Sequence, residues 1–440
     1  MSSIVDPSTR IRLATASPAT QSTRQETLAQ LERLAWSAGE KKADFLLLPE
    51  AYLGGYPRGA DFGSKIGGRS EEGRDEFRRY FQDAIDLGDT VGPAGAGGLG
   101  KWVKRELRDE DEEEGQSRDH EKGPAKVRGD GTREELERVA RETGVFIVVG
   151  LVERAGGSLY CAVVYVCPQR GIIGKRRKVM PTGSERLIWA QGSPATLKAV
   201  STTIRGIRVN LAAAICWENY MPLLRQSLYA QKYVVNPPTT LDSYLLMKTL
   251  LAVSTYTLPP RLMAEILGFL SVSKPLGDIL TSSVRTIGTE GRCFVVTSNM
   301  CVREGGKHVS QKPRRNSCIT EEGFEIALPS SPTHKTTAAA PPSSSAVIEE
   351  DEEETVGVGG KSGKDANFTS RGGSSIVSPF GEVLAGPQWE DDESIIYADV
   401  DLEDCVRGRL DLDTAGSYSR NDAFKLSVEG LDMNPLPYYA

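Results

Sequence analysis

Apolar and polar positions along the chain switch between two periods, and the switches mark out the elements. Residues 11–17 (IRLATAS) read as a first strand, followed by a helix over 25–38 with Leu28, Leu31, Leu34 and Ala35 on one face. The continuous apolar run DFLLLP at 44–49 predicts a strand covered on both sides. The alternation then repeats. TREELERVARETG at 132–144 predicts a helix and VFIVVGLVE at 145–153 a strand, with SLYCAVVYV and GIIGKRRKV after them as a hairpin-like pair. IRVNLAAAICWE at 207–218 reads as another buried strand, PLLRQSLYAQK at 222–232 as a helix, and 292–298 and 374–378 as later strands. Strands alternating with helices predict a mixed α/β layered domain.

Three stretches break the pattern. Residues 107–131 carry DEDEEE among Gly, Asp and Lys and read as a solvated acidic loop. Residues 303–372, rich in Ser, Pro, Thr and Gly, have too little apolar surface to bury and are expected to be a disordered insertion. Residues 233–281 are apolar without a clean period, an atypical insertion. One domain with insertions is therefore expected.

Composition narrows the function. Lys and Arg number 53 against 60 Asp and Glu, a net charge of −7, so a nucleic-acid-coating role loses support. The seven cysteines form no C-x-x-C pair, which argues for neither a disulfide scaffold nor a zinc ribbon and for a reducing, cytoplasmic setting. The opening residues lack the basic and apolar regions of a secretory signal, and Lys248, Pro259, Pro260, Arg261 and Glu265 interrupt the most apolar stretch, so no membrane association is expected. The three histidines, His120, His308 and His334, lie in polar or low-complexity stretches. Catalysis here must do without a Ser-His-Asp or Cys-His pair, and a nucleophile would take its base from a carboxylate or a lysine.

Three residues sit where such chemistry could be done. Cys216 ends a buried strand ahead of a helix opened by Pro222; sites in α/β sheets gather beyond strand ends, and a helix N-terminus favours a thiolate. A structural buried cysteine is the commoner role, but Trp217, Glu218 and Asn219 make a polar cluster there. Glu50 ends FLLLPE in the same way and precedes AYLGGYPRG, whose aromatic and glycine residues, Tyr56 among them, suit a pocket wall. A carboxyl buried against apolar walls has the raised pKa of a general base, although a lone carboxylate after a strand is more often a cap. Lys178, in GKRRKVMPTGSER, cannot be told by spacing from Lys175, Arg176 and Arg177, a run that reads equally as a solvated basic face.

These segments together resemble the nitrilase branch of the carbon–nitrogen hydrolase superfamily. The resemblance rests on LLLPEAYLGGYPRGADFG, GKRRKVMPTGSERLIWAQG, AAAICWENYMPLLRQSLYAQ, RTIGTEGRCFVVTSN and SSIVSPFGEVLAGP, within a domain over 10–425. It implies an α-β-β-α sandwich whose subunits pair and build homo-oligomeric spirals, acting on a small-molecule nitrile without metal or organic cofactor. Carried over by position, it implies Cys216 as nucleophile, Glu50 as base, Lys178 as the stabilising cation and Glu185 as the glutamate that poises them. Tyr56, Trp217 and Glu218 are expected to contact substrate. The product implied is a carboxylic acid and ammonia. The alternatives are an amide-forming enzyme such as a cyanide hydratase, or an inactive protein that uses the fold for binding or assembly. Two places depart from the pattern. VVNPPTTLDSYLLMKTLL replaces an Ala-Pro-Thr-Ala-Asp-like segment, so that 233–281 reads as a genuine insertion or as translated intron, and Ser417 stands where relatives often carry His.

Overall fold

The computed structural model describes residues 10–57, 62–63, 68–88, 129–231, 248–254, 276–303, 317–319, 325–327, 368–414, 416–420 and 422–431. The acidic loop before residue 129, most of 303–372, all three histidines and most of 233–281 lie outside the described residues.

Two sheets carry the fold. Strand β1 (Arg10–Ala16) opens it, followed by helix α1 (Arg24–Glu40), β2 (Phe45–Leu47), α2 (Glu71–Asp83), α3 (Thr132–Thr143), β3 (Phe146–Ala155), β4 (Ser158–Cys167) and β5 (Gly171–Arg177). After these come β6 (Val200–Ile204), β7 (Ile207–Ile215), α4 (Pro222–Ala230), β8 (Lys248–Ser254), α5 (Leu276–Gly291), β9 (Phe294–Ser298) and β10 (Cys301–Arg303). A separate unit over Val309–Ala366 contains an antiparallel pair, β11 (Ser317–Ile319) and β12 (Glu325–Ala327). The chain then adds β13 (Phe368–Val377), β14 (Val383–Trp389), β15 (Ile395–Asp401) and a short helix α6 (Asp404–Arg407). The first sheet runs β15-β1-β2-β3-β4-β5 and the second β10-β13-β9-β8-β7-β6, with β14 on β13.

The pleat sorts the apolar residues into three layers of core. Leu13, Phe45, Leu47 and Val148 of the first sheet meet Val209, Leu211, Ala213 and Val296 of the second between the sheets. Their immediate neighbours Ala14, Leu46 and Ile147 point the other way, onto Leu31 and Ala35 of α1 and Leu136 and Val139 of α3. On the far side, Ala212, Ala214 and Val295 pack on Leu224 and Leu228 of α4 and Val284 and Ile287 of α5. This is an α-β-β-α sandwich, and the unbroken apolar run at β2 is what a parallel strand with both faces covered requires. Hydroxyls close the seam: Thr15 Oγ1 donates to the Thr297 carbonyl at 2.8 Å and Ser298 Oγ to the Ala16 carbonyl at 2.7 Å.

Three expectations need correction. The strand expected over 207–218 stops at Ile215, because Cys216–Tyr220 tightens into a single 3₁₀ turn. The segment 233–281, expected as an atypical insertion without a clean period, supplies β8, hydrogen-bonded in parallel to both β7 and β9, and the start of α5. KTLLAVS is a short apolar run, which periodicity cannot separate from irregular apolar chain. Finally, the low-complexity stretch ends before 372, since β13 begins at Phe368 and pairs with β10 and β9.

Candidate active site

Two sharp turns aim the key side chains. Glu50 follows β2, and the next residue, Ala51, has φ +49°. That turn lies hard against β3. A Cβ on Gly150 would stand 2.4 Å from the Pro49 carbonyl oxygen and 2.6 Å from Glu50 Cα, so only glycine admits the approach. Cys216 itself has φ +55° at the end of β7, a left-handed conformation costly for a side chain with a Cβ. Asn219 Nδ2 donates to the Cys216 carbonyl at 2.7 Å and the Ile215 N–H to Glu218 Oε2 at 2.9 Å, which pins the turn.

The basic run GKRRK is not a solvated face: all four cations are buried, each with a carboxylate. Lys175 and Arg177 point to one side of β5 and share Glu153, at 2.5 and 2.7 Å. Arg176 points to the other and donates to Glu218 Oε2 at 2.7 Å. Lys178, one residue past the strand, donates to Glu50 Oε1 at 2.9 Å and to Glu185 Oε2 at 2.7 Å. What distinguishes Lys178 from its neighbours is that it alone of the four pairs with Glu50 and Glu185.

Glu50, Lys178, Glu185 and Cys216 are each no more than 2% exposed. The Cys216 sulfur and one oxygen each of Glu50 and Glu185 lie within 4.8 Å of one another. That spacing would also suit a metal ion, but the Lys178 ammonium, bonded to both carboxylates, already supplies the compensating positive charge. Burial raises the Glu50 pKa to about 7, with Lys178 pulling it down and the charge of Glu185 pushing it up. Burial also pushes the Cys216 thiol well above its ordinary value, reinforced by Glu50 and Glu185. The thiolate expected from a helix N-terminus is therefore not the resting form: α4 begins only at Pro222, and two carboxylates face the sulfur. Burial works against the charge on Lys178, but its anionic neighbours outweigh this and raise its pKa well above normal.

Glu185 is held by the Thr182 N–H at 2.8 Å and by Tyr56 Oη, which donates to its Oε1 at 2.9 Å. Tyr56, expected against substrate, is thus also part of the polar network. Trp217 is half-buried, with its ring 5.4 Å from that of Tyr220. Glu218 departs from the expected substrate contact. It is fully buried, Oε2 is taken by Arg176 and Ile215, and Oε1 accepts the Val179 N–H at 2.7 Å, so it ties the turn at Cys216 to the chain beside Lys178. The sequence reading missed Trp189, whose ring lies 5.9 Å from Lys178 Nζ and edge-on to Tyr56, and Tyr80, which accepts the Trp189 Nε1–H at 3.1 Å. It also missed Cys161, which donates to Glu50 Oε1 at 3.4 Å. The periodicity that placed Cys161 inside a strand did not reveal which functional residue that strand faces.

The carbon–nitrogen hydrolase family model matches residues 10–236 and 264–409. The chain belongs to the carbon–nitrogen hydrolase family. Within that family it is 31% identical to a nitrilase of Bradyrhizobium diazoefficiens over 92% of this chain and 86% of the relative. It is 32% identical to an arylacetonitrilase of Trametes versicolor, covering 92% and 91% of the two chains, and 32% identical to nitrilase 1 of Arabidopsis thaliana, covering 96% and 88%. A solved CN-hydrolase superfamily protein from Xanthomonas campestris aligns over 95% of this chain and 99% of its own, with 12% identity and a TM-score of 0.48. The resemblance to the nitrilase branch is borne out by the named relatives. Among the described residues, no helix is long and apolar enough to cross a membrane.

Proposed function

We propose that this hydrolase converts a nitrile to a carboxylic acid and ammonia. The observation that carries the reading is the convergence of a strained, buried cysteine on a carboxylate titrating near neutrality, beside a doubly paired lysine. The names of its relatives supply the substrate class. Glu50 takes the Cys216 proton as the sulfur attacks the nitrile carbon, and returns it to the nitrogen, giving a thioimidate. Water activated by Glu50 adds to that carbon, ammonia leaves, and a second water releases the acid from the thioester. Lys178 stabilises the charge that develops at the tetrahedral centres, a role for a fixed, desolvated cation. Glu185 holds Lys178 in place. The aromatic side chains of Tyr56 and Trp217 are the substrate-facing groups in this reading.

Cys161, Cys167, Cys216, Cys293, Cys301 and Cys405, all free and buried, fit a cytoplasmic enzyme. A homo-oligomer, which the resemblance to the nitrilase branch implies, belongs to the same reading. Cys216→Ala tests the central claim: ammonia release from a panel of aliphatic, aryl and arylaceto nitriles should vanish while the circular dichroism spectrum is kept. Turnover above a few per cent of wild type would remove Cys216 from the mechanism. The acid-to-amide ratio of the products separates a nitrilase from an amide-forming enzyme, and a wild-type protein inert on every nitrile would favour a binding or assembly role.

A further inference from the structure

Cys161 lies on β4, opposite Val152 of β3, in the core between the sheets, and is 1% exposed. It touches both charged partners of the nucleophile. Its thiol donates to Glu50 Oε1 at 3.4 Å, the oxygen that also accepts Lys178 Nζ at 2.9 Å. Its carbonyl accepts the Lys178 backbone N–H at 2.7 Å. The groups facing Glu50 are Lys178, Glu185, Cys161, Cys216 and the phenols Tyr56 and Tyr80. Lys178 and Cys161 donate to the carboxylate and favour its ionised form, whereas the charge of Glu185 disfavours it. Burial and the Glu50 charge keep the Cys161 thiol protonated, which preserves it as a donor and makes it a poor second nucleophile.

We propose that Cys161 is a positioning residue, its thiol fixing the Glu50 carboxylate beside Cys216 and favouring its proton-accepting form. This rests on the reading of Glu50 as the base for Cys216. A purely structural thiol would serve only to fill space in the core. A donor to the base does more, because removing it disfavours the carboxylate and moves the pH at which Glu50 can take a proton.

The test follows alkylation of Cys216 by iodoacetamide as a function of pH, read by mass spectrometry of the peptide that contains it, with ammonia release from nitriles measured alongside. The sulfur displaces iodide and its proton passes to Glu50, so the acid limb of the rate reports the base whether or not the substrate is a nitrile. Cys161→Ala and the volume-matched Cys161→Val remove the donor, and Cys161→Ser keeps one. Both donor-free variants should shift the acid limb upward. About one pH unit below the wild-type midpoint they should react roughly three- to tenfold more slowly, with rates converging at alkaline pH; Cys161→Ser should keep the wild-type midpoint. A uniform loss at every pH, or a serine variant that behaves like alanine, overturns the proposal. Shifted alkylation in an enzyme that releases no ammonia from any nitrile would refute the nitrile reading and leave Cys161 standing. Unshifted alkylation in an active nitrilase would do the reverse.

Discussion

At Cys216 the chain spends conformational free energy on aim. A non-glycine residue at φ +55° costs on the order of 1–3 kcal/mol and persists only where its surroundings leave no alternative. Here the Asn219 amide, the Glu218 carboxylate and the strand end fix it from three directions. Because Glu50 titrates at about 7, it is mostly protonated below that pH and cannot accept the thiol proton. kcat/KM should therefore fall about tenfold per pH unit on the acid side of that value, and a profile flat down to pH ~5 would exclude Glu50 as the base. Glu50→Gln keeps the shape but not the acceptor and should lose roughly 10²–10⁴ in rate. Lys178→Met should lower kcat more than it raises KM, since the charge it stabilises arises only after attack. The sequence made Glu50 and Cys216 legible because each ends an apolar strand. It could not separate Lys178 from Arg176 or Arg177, since what differs is the carboxylate that the fold brings to each: Glu50 and Glu185 for one, Glu218 and Glu153 for the others.

Elements bring these residues together through close backbone contacts and buried charges. Gly150 of β3 lets the Glu50 turn pass within van der Waals distance, and any Cβ there collides with the backbone of Pro49 and Glu50. Gly150→Ala should thus displace the base without touching Cys216. The expected outcome is a fall in kcat of tenfold or more with Cys216 still present in a folded protein, checked by circular dichroism and steady-state kinetics. Glu218 performs the matching task between β7 and the end of β5. Glu218→Ala would strand the buried Arg176 guanidinium and free the Ile215 and Val179 amides, a loss of about 3–5 kcal/mol that chemical denaturation would register. Glu218→Gln keeps an acceptor and should cost much less; equal losses for the two would show that the charge contributes nothing. The strands with both faces covered were visible in the sequence as apolar runs. Helix α2, EEGRDEFRRYFQD, was not, because its sparse apolar residues are set among charges and Gly73 is its one buried residue.

At the scale of the whole molecule, the second sheet depends on a strand that the sequence pattern did not reveal. β8 pairs with β7 from Val209–Lys248 to Ile215–Ser254, and with β9 from Leu250–Phe294 to Ser254–Ser298. It therefore bridges the strand that leads into Cys216 to the strand that carries Thr297, the residue joined to β1 of the first sheet. Yet residues 237–263, which include all of β8, are the stretch the hydrolase family model passes over. Neighbouring strands lie about 4.8 Å apart, so removing β8 leaves a gap near 10 Å that β7 and β9 cannot bridge by hydrogen bonds. The unpaired edges would also be templates for aggregation. A chain lacking 237–263 should accordingly be insoluble or lose cooperative unfolding, whereas the full-length chain should be soluble and release ammonia. Replacing Ala252 by Pro, which removes an amide from the middle of the ladder, should act in the same direction but less completely. A soluble, active deletion would mean that other residues fill the centre of the sheet and that this segment is dispensable, as translated intron would be. Solubility, thermal unfolding and ammonia release from the two chains, with sequencing of the transcript across codons 233–281, decide between a working strand and a passenger.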